Sequence, residues 1–450
     1  MMNLARTASC LLVAIVAHGA GALACGHGGG GGGGSGSDPY ANLISDAADP
    51  AVATSGAASL VAFALRKGDG TGAVAAVRVA ELGRVLDASP IVLASNTDSA
   101  AHAAVAPAAD GWAVAWQERG AISSAMVASD GTVSAPLLLA SRGDYDALPA
   151  IAAGGGGFLV VWMGSTADGQ PAVLGIRLDG TGAGPVTTLA TQGSFAGHPS
   201  VASDGTRFLV VWPGAAGDGP SGVVGRRFDA RLGAVDAAPI AIGPSTGARM
   251  SATWDGAGFL VAWEDETAQN VEVTSVGADG RVGPSLVIAG AQDGQLAGPR
   301  ISSDGNGAFV AWQDGSGNVL GRAILRDGTL GTTTTPVASA TSGVFHQWPA
   351  LAPAPAPADG YLAVFESIAG HSEIHGTRTS SDGATILDGN FAVVHSQQPS
   401  LFGCSIAAGQ AAAPSGRTVA FAAILFLALL FRRHRARLAA TALVSAHLPR

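Results

Sequence analysis

A run of about five residues that is apolar at nearly every position and ends in an aromatic residue recurs along the chain. In FLVVW (158–162) the odd and the even positions are both apolar. Successive side chains of a β-strand point to opposite faces, so such a strand must be covered on both faces. The aromatic residues follow one another at intervals of 46 to 53 residues. The seven positions are Phe63, Trp116, Trp162, Trp212, Trp263, Trp312 and Phe365.

Hairpin signals flank most of these runs. Asp-Gly pairs begin at residues 110, 204, 255, 304 and 359, before the aromatic run, and at residues 130, 179, 279, 327 and 382, after it. Asp-Gly between apolar segments indicates a tight turn, because both residues tolerate positive φ. Two hairpins per unit predict a four-stranded antiparallel meander.

A four-stranded unit repeated about every 50 residues is typical of the blades of a β-propeller. The sequence therefore predicts an all-β, seven-bladed β-propeller over residues 39–400, in which neighbouring blades cover both faces of each aromatic strand. Segment 40–53 is predicted to begin with a fourth strand that precedes the first unit. Either this segment or 391–396 is expected to complete the sheet that joins the two ends. An open array or two smaller β domains are the alternatives.

The composition supports short strands and argues against a nucleic-acid partner. Only 13% of the residues are charged and 65 are Gly, which suits buried strands joined by tight turns. The formal net charge is −9 and no Lys/Arg cluster precedes residue 432, whereas a nucleic-acid partner requires a basic face. We therefore expect no nucleic-acid partner.

The N-terminal end predicts export. Residues 1–24 combine Arg6, an apolar stretch and ALA before Cys25, the pattern of a signal peptide. Residues 25–38 form a Gly-rich segment that is expected to act as a flexible tether. A Cys at the first mature position followed by a tether resembles a bacterial lipoprotein, and the resemblance implies acylation of Cys25. Simple cleavage after Ala24 is the alternative.

The C-terminal end predicts a membrane anchor. A linker with a Gly-Cys motif (401–417) leads into the apolar segment 418–431 and a basic tail, 432–450. Fourteen apolar residues span about 21 Å as a helix, and the Arg cluster that follows favours a cytoplasmic C-terminus. A buried core helix is the alternative. The combination resembles the MYXO-CTERM sorting tag of myxobacterial surface proteins, which implies processing and attachment at Cys404; a plain anchor is the other reading. The expected location is the cell envelope, at the outer surface or the periplasmic face.

Few residues of the repeat body are candidates for a catalytic or metal-binding role. Arg78, Arg177, Arg227 and Arg378 recur in the third strand of different units, and recurrence favours a structural role. Asp314, Ser316 and Asn318 alternate as calcium ligands can, but a polar hairpin tip is the favoured interpretation. His371, Glu373 and His375 share one face of a predicted strand, where a half-exposed face is favoured over a metal site. No cofactor is predicted beyond this weak indication of calcium.

No nucleophile elbow, phosphate-binding loop or other catalytic motif appears. The leading hypothesis is therefore a non-catalytic binding or scaffold module for protein or glycan partners, anchored at the cell surface. The alternative is an extracellular polysaccharide hydrolase or lyase with its site at the propeller axis. Three or more Asp, Glu, Arg or His residues converging at one mouth of the channel would favour the enzyme.

Overall fold

A computed structural model describes residues 44–67, 71–97, 102–118, 120–141, 147–180, 182–191, 197–216, 221–244, 249–290 and 296–394. The strands of this part form seven antiparallel sheets, and its only helix is a 3₁₀ turn, Glu81–Gly83. The predicted all-β, seven-bladed propeller is confirmed. The signal peptide, tether, linker, apolar segment and basic tail, with Cys25 and Cys404, lie outside the described residues. Within the described part, no helix is long and apolar enough to cross a membrane.

Each blade is one sheet whose strands follow one another from the axis outwards. Blades 1 and 2 contain β1 (Ile44–Ser55), β2 (Ala58–Lys67), β3 (Gly72–Ala80), β4 (Ile91–Thr97), β5 (Ala103–Ala108), β6 (Gly111–Glu118), β7 (Ala121–Val127) and β8 (Leu137–Ser141). Blades 3 and 4 contain β9 (Ala147–Gly154), β10 (Gly157–Ser165), β11 (Pro171–Asp179), β12 (Gly182–Ala183), β13 (Thr187–Ala190), β14 (Ser200–Ser203), β15 (Phe208–Ala215), β16 (Ser221–Phe228) and β17 (Ile240–Pro244).

The remaining three blades repeat this arrangement. Blades 5, 6 and 7 contain β18 (Met250–Trp254), β19 (Gly258–Asp265), β20 (Asn270–Gly277), β21 (Leu286–Ala289), β22 (Leu296–Ser303), β23 (Gly307–Asp314), β24 (Val319–Leu325), β25 (Thr335–Ala338), β26 (Phe345–Pro353), β27 (Tyr361–Ile368), β28 (Ser372–Thr379) and β29 (Ile386–Val394).

The first strands of the blades form a closed ring around an axial channel. Each first strand contacts that of the next blade, from β1 through β5, β9, β14, β18 and β22 to β26, and β26 contacts β1. The ring is therefore circular, and the open array is excluded.

Aromatic side chains of the second strands fill the seams between blades. All seven predicted aromatic positions are at most 1% exposed. Val160 and Trp162 pack towards blade 2, whereas Leu159 and Val161 pack towards blade 4. Both faces of this strand are buried, as the sequence pattern requires.

Closure differs from the prediction. Residues 44–55 form one continuous strand, the first strand of blade 1, and no fourth strand precedes it in the described part. Blade 7 has four strands of its own, ending with β29. The ends meet by side-by-side packing, with Thr54 Oγ1 donating to Pro353 O at 2.5 Å and Ser372 N to Asp46 Oδ1 at 3.1 Å. Blades 1 and 7 are therefore joined by buried side chains packed between two separate sheets, and not by strands of one common sheet.

The two faces of the ring differ. The mouth face carries the starts of the first strands and the turns between second and third strands. The turn face carries the Asp-Gly turns, whose glycines Gly111, Gly205, Gly256, Gly305 and Gly360 have positive φ. Ile44 pairs with Lys67, and Val394 with Ile374. Both ends of the propeller therefore lie on the mouth face.

Candidate functional site

One register position at the start of the first strands varies strongly between blades, with six residue types among the seven blades. It lies two residues before the small residues that line the channel, and the residue after it is Pro in five blades. The seven residues are Asp49, His102, Leu148, His198, Arg249, Gly298 and Trp348. We call them the mouth ring.

Backbone irregularities aim these side chains. The first strands of blades 1, 3, 6 and 7 break register with their second strands at this point. Asp49, Leu148, Gly298 and Trp348 have φ between 51° and 60°, a region that non-glycine residues rarely adopt. A β-bulge re-aims a side chain and is common beside functional sites. Three of these four residues are not glycine, so the mouth ring is a place of backbone strain in blades 1, 3 and 7.

On one side of the mouth, a carboxylate and two imidazoles are in contact. A hydrogen bond joins Asp49 Oδ2 and His102 Nδ1. The ring of His102 meets that of His198 edge-on, with centroids 5.6 Å apart. Burial raises the pKa of Asp49. The hydrogen bond and charge of His102, together with the charges of Arg300 and Arg249, lower it by more, so the net pKa is below 3.8. Burial and nearby positive charges lower the pKa of His198 to about 3. Asp49 is therefore ionised and His198 neutral near pH 7.

On the other side, an arginine lies flat on an indole. The guanidinium carbon of Arg249 is 3.7 Å from the centroid of the Trp348 ring. A Cβ on the intervening Gly298 would lie 3.5 Å from Trp348 and 3.9 Å from Arg249. Burial lowers the pKa of Arg249 to about 10, and the charge of Arg300 acts in the same direction. Arg249 therefore keeps its positive charge and a fixed position at neutral pH.

A second arginine lies one step deeper, in the channel wall. Two residues beyond the mouth ring, six blades carry Ala or Ser, and blade 6 carries Arg300. These residues line a cavity of about 190 Å³ together with Asp49, His102 and His198. Burial lowers the pKa of Arg300, and Asp49 opposes this shift. Among the described residues, neither Arg249 nor Arg300 has a hydrogen bond or ion pair to its guanidinium within 4.0 Å. The charge of Asp49 acts on both arginines, and that of Glu264 acts on Arg249.

Glu264 is a second carboxylate beside this site. Burial and the charge of Glu266 raise its pKa, and the Gly298 amide and Arg249 lower it by less. It lies at the end of β19, next to the mouth ring. The site thus contains one carboxylate with a lowered pKa and another with a raised pKa.

Residues 314–318 form a hairpin tip, the interpretation that the sequence favoured over a calcium loop. Asp314 Oδ1 accepts hydrogen bonds from Ser316 N at 2.9 Å and Asn318 N at 2.8 Å, and its Oδ2 accepts from Asn318 Nδ2 at 2.7 Å. Asn318 Oδ1 accepts from Ala340 N at 2.8 Å. The oxygen atoms that calcium would need are used within the turn.

On the strand face that carries His371, Glu373 and His375, each histidine contacts Glu373. His371 Nε2 lies 3.3 Å from Glu373 Oε1, and His375 Nε2 lies 3.1 Å from Glu373 Oε2. His375 Nδ1 is 2.7 Å from Asn390 Oδ1. The carboxylate thus serves both imidazoles. Within the part of the chain that the structure describes, no group of three His, Cys, Asp or Glu residues has a metal-binding arrangement.

The recurring arginines are structural, as predicted. Arg78 forms an ion pair with Asp87, Arg227 with Asp236 and Arg378 with Asp388. Arg177 donates to Gly154 O at 2.9 Å and lies over the Phe208 ring of the next blade.

The mouth ring was missed in the sequence, although a signal for it exists. Pro50, Pro149, Pro199, Pro299 and Pro349 recur in register with the aromatic runs. The residue before each proline varies between charged, aromatic, apolar and glycine. A constant framework residue beside a variable neighbour indicates a position used for recognition.

Fold and site together define a β-propeller with a polar, arginine-containing pocket at one mouth of its axis. No protein-family model and no curated protein sequence matches the chain. Among solved structures, the chain is similar to the BP39L lectin from Burkholderia pseudomallei, with a TM-score of 0.56 and 16% identity over 78% of this chain and 100% of that one. It also matches AofleA from Arthrobotrys oligospora, with a TM-score of 0.47 and 9% identity over 80% and 89% of the two chains. A prolyl endopeptidase matches with a TM-score of 0.47 and 13% identity, over 80% of this chain and 52% of that one. At these identities the likeness is one of fold.

Proposed function

We propose that the protein is an exported, surface-anchored β-propeller that binds an acidic glycan at the channel mouth and does not convert it. The observation that carries this proposal is the pair of arginines at the channel mouth: Arg300 lines the axial cavity, and Arg249 lies beside it over the Trp348 ring. Guanidinium binds carboxylate through charge-assisted, often bidentate hydrogen bonds. The lectin BP39L is an example of a propeller with a carbohydrate-binding role.

The protonation states favour binding over catalysis. A general acid or base works best when its pKa lies near the operating pH. Asp49 has a lowered pKa, and the pKa of His198 is about 3. Near neutral pH the first is a weak base, and the second is too weak a base to remove a proton efficiently. Neither group is therefore matched to general acid–base catalysis near neutral pH.

One observation supports an enzyme as the second candidate. Asp, Glu, His and Arg side chains converge at one mouth, as a hydrolase or lyase would require, and the raised pKa of Glu264 is the shift that a general acid needs. A polysaccharide-acting enzyme would use Glu264 as the acid and Asp49 as the ionised partner.

The two candidates are distinguished by measuring binding and product formation on the same ligands. We would titrate the propeller with oligogalacturonate and with a neutral oligosaccharide of equal length. Binding of the acidic ligand alone, at least about tenfold weaker in Arg249→Ala or Arg300→Met, supports the proposal. Arg231→Ala removes an exposed charge on the turn face and is the matched control. Equal binding of the neutral oligosaccharide contradicts the proposal, and product formation that disappears in Glu264→Gln establishes the enzyme.

Anchoring is tested independently. We propose that Cys404 attaches the C-terminal end and Cys25 the N-terminal end to the cell envelope. Cys404→Ala is expected to release protein into the medium, and Cys25→Ala to abolish lipid labelling. Unchanged retention of the Cys404 variant contradicts the sorting-tag hypothesis.

A further inference from the structure

On the turn face, an arginine of one blade fills the space under the turn of the next blade. Arg227 of β16 binds Asp236, and its guanidinium donates to Ala278 O and, at 3.1 Å, to Asp279 O in the turn of blade 5. A Cβ on Gly280 of that turn would lie 2.6 Å from Arg227 Nη2. The arginine therefore occupies this groove completely.

The same contact recurs between blades 1 and 2. Arg78 of β3 binds Asp87, with Nη2 and Oδ1 2.6 Å apart, and donates to Ser129 O in the turn of blade 2 at 2.6 Å. A Cβ on Gly131 would lie 3.1 Å from its guanidinium carbon. Two different seams thus use one arrangement, a guanidinium held by an aspartate and a turn carbonyl.

Blade 5 lacks every side chain of this arrangement. Ser275 pairs with Leu260 as Arg227 pairs with Leu209, so Ser275 stands at the arginine position. Nine residues further on, Pro284 replaces the aspartate. Gly258 stands where blade 4 has Arg207, whose guanidinium also donates to Ala278 O, at 3.2 Å. The arginines and the aspartate are all absent from this seam.

The accepting turn is nevertheless present on blade 6. In blade 6, Leu325 N donates a hydrogen bond to Thr329 O, and Gly328 N donates one to Leu325 O. The turn of blade 5 has the same two hydrogen bonds, from Gly277 N to Arg281 O and from Gly280 N to Gly277 O. The carbonyls of Arg326 and Asp327 therefore stand where those of Ala278 and Asp279 receive Arg227.

The space itself is open. A Cβ on Gly328 would meet nothing within 4 Å, and a cavity of about 670 Å³ lies between blades 5 and 6. Ser275, Gly258 and Pro284 line it, so the cavity coincides with the missing side chains. Phe309 and Phe391 fill the seams under Gly383 and Gly83. A Cβ on Gly182, in blade 3, would likewise meet nothing within 4 Å.

Charge and shape suit a cation on an aliphatic stem. Leu260, Leu286 and Ile324 form an apolar wall. Asp255 and Asp327 stand at the rim, and hydrogen bonds from Thr329 lower the pKa of Asp327, which is thus ionised at neutral pH. Arg326 also lines the cavity, and its Nη1 donates to Asn306 Oδ1 at 3.0 Å.

We propose that the cavity between blades 5 and 6 binds an arginine side chain presented by a partner polypeptide, in the position that the protein's own arginines occupy between blades 1 and 2 and between blades 4 and 5. The apolar wall favours a polypeptide over free arginine, because the α-ammonium and α-carboxylate of the free amino acid would have to lose water there. This site lies on the opposite face from the channel mouth.

The test is a calorimetric titration of the propeller with N-acetyl-arginine amide, N-acetyl-lysine amide and free arginine. We expect the blocked arginine to bind and the lysine analogue to bind at least about tenfold more weakly, since an ammonium cannot reproduce the planar fork. Equal binding of the lysine analogue overturns the guanidinium assignment. Tighter binding of free arginine overturns the polypeptide assignment.

Variants locate the binding. Ser275→Arg combined with Pro284→Asp supplies the missing pair and is expected to abolish binding without lowering the melting temperature. Asp327→Asn is a smaller change, because it removes one charge at the rim and keeps the size of the side chain. It is expected to weaken binding. Asp130→Asn is the matched control in blade 2, where Arg78 already fills the space, and should bind as the parent does. Undiminished binding in both the double variant and Asp327→Asn, or no binding by the parent protein, refutes the proposal.

Discussion

Arg249 and Trp348 belong to blades 5 and 7, yet the guanidinium carbon of one lies 3.7 Å from the ring centroid of the other. The contact crosses blade 6, which contributes Gly298 at the same register position. Two blades that share no seam are thus joined at the mouth of the channel.

This pair should show measurable coupling. In a double-mutant cycle of Arg249→Ala and Trp348→Ala, we expect a coupling free energy of about 0.5 to 2 kcal/mol, because the contact is partly desolvated. Urea unfolding of the four proteins measures it. Strictly additive free energies of unfolding would contradict the stacking geometry.

Truncation of a seam aromatic should cost much more. Trp212 is 1% exposed, and Trp212→Ala removes a fully buried ring, for which we expect a loss of about 3 to 5 kcal/mol in the free energy of unfolding. Trp348→Ala, at the half-exposed mouth, serves as the comparison and should cost clearly less. Similar losses in the two variants would mean that the seams do not carry the stability of the ring.

The ion pair between Arg227 and Asp236 should be important to stability. Its side chains are 7% and 12% exposed, so Arg227→Met removes the guanidinium from a largely buried carboxylate, which keeps only its hydrogen bond from the Arg227 backbone N, and should cost about 1.5 to 3 kcal/mol. Arg281 and Asp279 are exposed, at 91% and 60%, and Arg281→Met should change stability by about 1 kcal/mol at most. Chemical denaturation compares the two variants, and equal losses would count against a structural role of the recurring arginines.

His198 predicts a pH dependence of folding. Its pKa falls from 6.5 to about 3 on folding, so between these pH values the unfolded chain binds more protons than the folded chain. Stability contributed by His198 is therefore present above pH 6.5 and declines as the pH falls towards 3, by at most about 1.4 kcal/mol per pH unit.

The matching experiment compares the parent protein with His198→Gln in urea at pH 7.5, 6, 5 and 4. The variant should lose less stability than the parent between pH 6.5 and 4. A pH profile parallel to that of the parent would show that His198 titrates normally.

The sequence predicted the blades because their determinants are local and repeated. An aromatic run such as 158–162 requires cover on both faces, and Asp-Gly pairs require turns, so strand number and repeat length follow from short segments. Closure was predicted incorrectly because the apolar pattern of 40–53 does not distinguish a first strand from a fourth one. The distinction depends on Thr54 and Pro353, which are 299 residues apart.

The candidate sites could not be predicted in the same way. Asp49, His102 and Arg300 are distant in sequence and meet only because the ring closes. The cavity between blades 5 and 6 was accessible in principle, since Ser275 interrupts the recurring arginine. Recognising it required knowing that the arginine reaches into the following blade, which only the three-dimensional contacts show.

Among the described strands, none is exchanged between the first and seventh blades, so the seam between them is held by the same kind of contact as every other seam. A circular permutant that joins the present ends and opens instead within an Asp-Gly hairpin would keep all seven interfaces, so the order in which the blades are translated is interchangeable as far as the folded ring is concerned.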